Sequence, residues 1–221
     1  MNKKMFNIVL SVVMIISLVL FTITFSIGLP IYVREFYYAQ IKTLDLENAT
    51  GYTYDEIKDG YDEVLDFLTR PGGEFSAGVF KFSEEGAGHF EDCKVLFTLN
   101  GTVLVFSFAT ILLLVLLWIF GIYRPRMVLR HAPFFYSGVA TLVSFVTVGG
   151  LAALDFDNAF RIFHQIFFPG KDNWMFNPYT DEIIRAMPQQ FFMNCAILIV
   201  LSIFALSITF IVASPKFKEK K

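Results

Sequence analysis

Apolar positions in this chain gather into four unbroken runs, Met5–Leu29, Val95–Ile122, Pro133–Leu154 and Phe191–Ala213, and none of them holds an Asp, Glu, Lys or Arg. A helix needs about 20 apolar residues to cross the hydrocarbon core of a bilayer, and each run is long enough. The first run follows Lys3 and Lys4, as the core of a signal peptide would. It is longer than such a core and no A-x-A site follows, so it reads as a retained signal anchor. The pattern divides the chain into an N-terminus with the first span (1–30), a polar segment (31–94), a second span (95–122) and a short loop (123–132). A third span (133–154), a second polar segment (155–190) and a fourth span with a basic tail (191–221) follow.

The polar segments carry local structure of their own. Thr53-Tyr54-Asp55-Glu56 has the form of a capping box. Ile57, Tyr61, Val64, Leu65 and Leu68 then recur at helical spacing, and Pro71-Gly72-Gly73 stops that helix. Phe75–Phe82 reads as a strand or extended segment. Ser83 can cap a helix that starts at Glu84, carries Glu85, His89, Asp92 and Lys94, and feeds directly into the second span. In the second polar segment Asp155 is an N-cap for a helix presenting Phe156, Phe160, Phe163, Phe167 and Phe168, with Asp157, Arg161 and Gln165 as an i, i+4 polar row. Such a helix lies in the membrane interface with its aromatic face toward acyl chains, and His164 sits beside Phe160 and Phe168 on it. Pro169-Gly170 ends it, Asn173–Pro178 makes a turn anchored by Trp174, and Thr180 caps a short helix that ends before Pro188. The fold class expected is an α-helical membrane protein: four transmembrane helices, with a cap of short helices and room for a few short strands.

Charge orients this arrangement. Lys3, Lys4, Arg124, Arg126, Arg130, Lys216, Lys218, Lys220 and Lys221, with Glu219 as the one acid, give one membrane side +8. The nine remaining bases and nineteen acids give the other side −10. Basic residues stay in the cytoplasm, so both termini and the 123–132 loop are expected there, and the two polar segments outside as an extracytoplasmic cap. Composition agrees with a membrane class: 55% of residues are hydrophobic and 17% charged, with 27 Phe. Cys93 and Cys195 form no CxxC or paired framework and read as free thiols. The basic tail is too short for a nucleic-acid arm and suits anionic lipid. No interrupted pair of spans and no intramembrane charge marks a transporter.

Candidate chemistry lies in the expected outer segments. Of the three histidines, His131 falls in the short loop and reads as interfacial filler, whereas His89 and His164 both fall near the membrane surface. Histidine is the side chain suited to moving protons near neutral pH. On spacing alone a loop histidine is more often structural than catalytic, and an aromatic stripe is more often packing than pocket. Glu85, His89 and Asp92 share a helix face that could bind a metal. The spacing is not HExxH, however, and carboxylates near a histidine more often orient it. No GxSxG or SxxK nucleophile signature is present. Taken alone, these residues point to a small outward-facing membrane protein with acid–base capacity toward a lipid-like substrate.

Two motifs go further. Glu84-Glu85-Gly86-Ala87-Gly88-His89-Phe90-Glu91-Asp92-Cys93-Lys94 resembles the EE-x-x-x-H-x-x-D-V-K pattern of a family of four-span bacterial membrane proteins, with Cys93 standing where Val is expected. Phe160-x-x-Phe163-His164-x-x-Phe167-Phe168-Pro169-Gly170, followed by Asn173-Trp174-x-Phe176-x-Pro178-x-x-Asp181-x-x-Ile184, resembles the second outer motif of the same family. That family is the lipoprotein intramolecular transacylases. The resemblance implies a substrate class, bacterial lipoproteins whose N-terminal cysteine carries an S-diacylglyceryl group. It also implies a reaction, transfer of the sn-2 acyl chain to the cysteine α-amine, giving the lyso form. It implies catalytic roles for His89 and His164, one taking a proton from the amine and the other supplying one to the departing oxygen. Glu85 or Asp92 would orient His89, and Phe160, Phe163, Phe167, Phe168, Trp174 and Tyr179 would wall the substrate pocket. No cofactor and no metal is expected; the partners are the lipoprotein substrate and membrane lipid, with no nucleic acid. Two rivals stand beside this reading: a metal-dependent lipid hydrolase, and a non-enzymatic envelope accessory or sensor.

Overall fold

The computed structural model describes residues 2–126 and 131–215; Arg130 and the basic tail Lys216–Lys221 lie outside the described residues. The described chain is helical: α1 (Lys3–Tyr32), α2 (Glu35–Thr43), α3 (Leu46–Thr50), α4 (Tyr54–Thr69), α5 (Glu84–Ile119), α6 (Pro133–Leu154), α7 (Phe156–Phe167), α8 (Ile183–Ala186) and α9 (Gln189–Ala213). Four of these, α1, α5, α6 and α9, are long and apolar enough to cross a membrane. Large apolar side chains such as Phe106, Ile119, Val143 and Leu201 point outward from them, a surface suited to hydrocarbon and not to water. α6 matches the expected third span. α5 ends at Ile119, a little before the expected boundary, where Gly121 adopts the left-handed φ of 72° and closes the turn.

The chain forms two compact units. The first comprises residues 1–27, 101–150 and 199–221. Met14, Leu18, Leu114 and Tyr123 form its apolar core. The Tyr123 hydroxyl pairs with Ser11 Oγ at 2.9 Å, and the Arg126 amide donates to the same Ser11 oxygen. Gly138 lets α6 and α9 approach closely, since a β-carbon there would stand 2.6 Å from the Ser207 carbonyl.

The second unit comprises residues 28–100 and 151–198 and holds every short helix. Its centre is the stacked pair Tyr37 and Tyr61, with ring centroids 3.6 Å apart and Phe191 edge-on to both. Ile41, Leu46, Ile57, Val64 and Ile183 pack buried in the same unit. The Tyr37 hydroxyl donates to the Ala186 carbonyl at 2.9 Å, so α2 is tied to α8. α4 carries the expected capping box: Thr53 accepts from the Glu56 amide, and Glu56 accepts from the Thr53 amide.

Two local expectations are corrected. No strand forms among the described residues, and 75–82 runs as irregular chain. In place of a ladder, Glu63 accepts from the Gly78 amide, Glu182 from Lys81 and, just beyond the segment, Asp181 from Ser83, while the Phe80 amide turns back to the Ala77 carbonyl. Thr180 does not cap α8; its hydroxyl donates to Asp181, and the N-cap position belongs to Glu182.

Candidate active site

The site lies within the second unit and starts from the polar end of α5. This helix has 36 residues. At 1.5 Å rise it is about 54 Å long, against a hydrocarbon core of about 30 Å. The surplus is the polar stretch Glu84–Lys94, which stands beyond the apolar run. Ser83 caps it by accepting from the Gly86 amide at 3.0 Å, as expected. The Ser83 hydroxyl and amide in turn donate to Asp181, which locks the helix start to the segment before α8. Gly86 is required by this contact, because a β-carbon there would fall 2.2 Å from Asp181 Oδ1.

His89 sits in the second turn of α5 and is 94% buried, with 6% of its surface exposed. Phe168 and Phe176 stand edge-on to its ring at 4.9 and 5.5 Å. His164 comes from α7, which Asp155 caps through the Asn158 amide. It is equally buried at 6% exposure, stacked on Trp174 at 4.5 Å and flanked by Phe160 at 4.3 Å. The two imidazoles lie 5.8 Å apart, centroid to centroid. Trp174 is held in place because its indole donates to the Lys171 carbonyl, just after a turn in which Gly170 has a φ of 75°.

Hydrogen bonds define the proton positions. His164 Nδ1 lies 2.7 Å from the Phe160 carbonyl, which can only accept, so Nδ1 carries the proton and Nε2 keeps its lone pair. His89 Nε2 lies 3.4 Å from Cys93 Sγ. Nδ1 of His89 and Oδ1 of Asn173 are both buried without a hydrogen bond of good geometry, yet Asn173 is near enough to favour the charged form of the ring. Burial, with the second imidazole beside it, pushes His89 down to about 4. Burial also lowers His164, against the Phe160 carbonyl, which favours its cation. Both rings are therefore neutral at pH 7. Burial pushes the Cys93 thiol up to about 12.

The expected wall residues divide. Phe160, Phe163 and Phe168 reach His164, and Phe167 packs on Phe163 at 4.6 Å. Tyr179 is 87% exposed and stands apart from the cluster. The expected orienting carboxylates do not hydrogen-bond to His89. Glu85 is exposed, and Asp92 accepts from Lys171 and from Asn173 Nδ2, the latter at 3.2 Å. Burial would raise the Asp92 carboxyl, but the Lys171 ammonium and the Asn173 amide outweigh it and hold the carboxyl below its usual range. Phe176, Asn173 and the Cys93 contact lay outside the candidate set. The second motif contains Asn173 and Phe176, and the first contains Cys93 at the position where Val is expected. Cys93 and Cys195 are both free, and among the described residues no three His, Cys, Asp or Glu side chains converge to hold a metal ion.

The family model for lipoprotein intramolecular transacylase Lit matches residues 12–192. The chain belongs to that family. The fold of this member is that of the membrane-integral lipoprotein intramolecular transacylase Lit from Bacillus cereus, with a TM-score of 0.84 at 23% identity over 94% of this chain and 93% of that one. Two further structures of the Bacillus cereus protein, in which one histidine is replaced by arginine or by alanine, match with TM-scores of 0.77 at 22% identity, each over 94% of this chain and over 89% and 91% of theirs. An uncharacterized protein of Aquifex aeolicus is 27% identical over 114 residues, which is 52% of this chain and 47% of that protein. The chain thus spans about half the length of the curated relative it matches.

Proposed function

We propose that this transacylase-family member moves the sn-2 acyl chain of a lipoprotein S-diacylglyceryl group to the α-amine of the N-terminal cysteine, with His164 and His89 as its catalytic residues. The observation that carries the reading is the pair of neutral imidazoles, 5.8 Å apart inside a shell of Phe and Trp, with the tautomer of His164 already fixed. His164 Nε2 offers its lone pair to the amine. The amine nitrogen attacks the ester carbonyl, His164 takes the amine proton and then passes it to the sn-2 oxygen as the C–O bond breaks. An ester becomes an amide, a hydroxyl remains at sn-2, and no water or cofactor enters the balance. His89, neutral at pH 7, suits a hydrogen-bond donor to the developing oxyanion better than a stockpiled cation. Nucleophile and ester belong to one floppy molecule and must close a medium ring. A pocket formed by Phe160, Phe163, Phe167, Phe168 and Trp174 lowers that entropic cost by folding the lipid.

The charge split of +8 against −10 supports an orientation with both termini cytoplasmic and this site on the outer face, where mature lipoproteins reside. The domain boundaries follow the same split, with a cap of residues 31–94 and 155–190.

Expression in a host that makes diacylglyceryl lipoproteins with a free α-amine tests the reading. Mass spectrometry of the N-terminal fragment should show total acyl count unchanged, one fatty amide and a monoacylglyceryl thioether. His89→Ala and His164→Ala should each abolish the product, and His131→Ala should not. Free fatty acid in place of amide would favour the hydrolase, no change in the acyl pattern even with the parent protein would favour the accessory or sensor, and amide that still forms after both histidine replacements would overturn the catalytic assignment.

A further inference from the structure

We propose that Cys93 is a positioning residue for the transfer: its thiol donates to Nε2 of His89 and so puts the ring's single proton on Nδ1, the nitrogen left free to donate to substrate. The inference rests on the transacylase reading for its purpose, but not for its geometry.

His89 and Cys93 are i and i+4 on α5, so one helical turn brings Sγ within 3.4 Å of Nε2. A neutral imidazole has one N–H and one lone pair, and which nitrogen holds the proton follows from its partners. The thiol stays protonated across the working range, since burial lifts it to about 12. It is therefore a standing donor, and sulfur is only a weak acceptor. The opposite edge of the ring gives the same answer. Asn173 is oriented by its amide nitrogen, which donates to Asp92 at 3.2 Å, so the atom left over is the acceptor Oδ1. That oxygen and His89 Nδ1 are both buried without a hydrogen bond of good geometry, although Asn173 lies near enough to act on the ring. An N–H at Nδ1 suits an acceptor beside it, whereas a lone pair there would face another lone pair.

The Cys93 contact and the Asn173 oxygen nearby thus favour the same tautomer. Lys171 contributes at a distance by holding Asp92, which holds Asn173. The Asp92 charge also acts on His89 through space and favours its cation, without a hydrogen bond between them. The Asn173 oxygen beside Nδ1 makes no hydrogen bond of good geometry with it, so the N–H can turn its donation to a developing oxyanion when substrate enters.

The test is nitrogen NMR on the full chain with ¹⁵N-labelled histidine in detergent micelles, with His89 assigned by the signals lost in His89→Ala. The parent should show a protonated Nδ1 and an unprotonated Nε2 on His89. Cys93→Val, or Cys93→Ala where Val crowds the site, should mix the two tautomers, and Cys93→Ser should restore the parent pattern. In the lipoprotein assay Cys93→Val should lower kcat roughly three- to tenfold with KM unchanged, the size of one weak neutral hydrogen bond, and Cys93→Ser should recover it. A proton on Nε2 in the parent, or an unchanged tautomer in both apolar variants, overturns the proposal. So does complete loss of activity in a folded Cys93→Val, which would mean a thioester intermediate. The tautomer is read without turnover, so it stands or falls separately from the transacylase reading.

Discussion

In the proposed mechanism the hydrogen bond from His164 Nδ1 to the Phe160 carbonyl at 2.7 Å is the smallest unit, because it decides which nitrogen can take a proton. Its consequence for pH is direct. His164 must be neutral to act as base, and burial lowers its pKa, so the cation forms only at lower pH than for a free imidazole. Plots of kcat against pH with a synthetic diacylglyceryl lipopeptide should lose activity on the acid side with a midpoint below about 6.5. His89 adds nothing to this limb until about pH 4. A midpoint at or above the free-histidine value would mean that His164 is not the buried base. The aromatic shell makes a second expectation at this scale. Phe176 stands edge-on to His89 at 5.5 Å, whereas Tyr179 is 87% exposed. Phe176→Ala should lower kcat roughly ten- to a hundredfold by loosening the ring, while Tyr179→Ala should change it by no more than about twofold. The reverse ranking would move the substrate wall to the exposed side of the second loop.

Elements were legible in the sequence where their signals are local. The capping box at Thr53, the caps at Ser83 and Asp155 and the four apolar runs each depend on residues within a few positions of one another. The segment 75–82 was not legible, because its partners are distant in the chain: Glu182 meets the Lys81 amide across 101 residues and Asp181 meets Ser83 across 98. An aromatic-rich sequence favours a strand only if a ladder is available, and here carboxylates take the donors. Helices α2 and α3 carry no capping box and turn on Asp45, a non-glycine residue at φ 53°, which no local rule anticipates. Gly60 tests the same long-range packing. Gly→Ala inside a helix ordinarily stabilises by about 1 kcal/mol. Here the new β-carbon would lie 2.6 Å from the buried Phe80 ring and 2.9 Å from the Ala77 carbonyl. Gly60→Ala should instead destabilise by about 1–3 kcal/mol, read as a lower thermal midpoint in detergent. Asp181→Ala should cost a similar about 1–3 kcal/mol, since the Ser83 amide and hydroxyl both lose their acceptor. A Gly60→Ala midpoint equal to or above the parent would show that the 75–82 segment does not press on α4.

At the scale of the whole molecule, the meeting of His89 and His164 could not have been read from spacing, since they stand on different helices in different polar segments. Their common depth near the membrane surface made a pair conceivable, and the resemblance of both motifs to one family linked them. The direction of the chain across the membrane is another matter, because charge alone argues it. Nine bases and one acid fall on one side of the four apolar runs, and nineteen acids with nine bases on the other. Lysine and arginine near span ends resist translocation far more than acids promote it, so the basic side should stay in the cytoplasm. Reporter positions must not disturb the fold. Asp62 holds Arg34, Tyr38 and Lys58, and Lys171 holds Asp92, so their exposed neighbours Asp59 and Asp172 are the better choices. Arg126 is exposed, and among the described residues its backbone amide donates to Ser11. Asp59→Cys and Asp172→Cys should react with an impermeant thiol reagent added to intact cells, above the background that Cys93 and Cys195 give in the parent. Arg126→Cys should react only after the membrane is opened, and Lys218→Cys in the tail should behave the same way. Labelling of Arg126→Cys from outside would invert the orientation and put His89 and His164 on the cytoplasmic face. There they could not meet lipoproteins anchored in the outer leaflet, and the proposed reaction would fail with them.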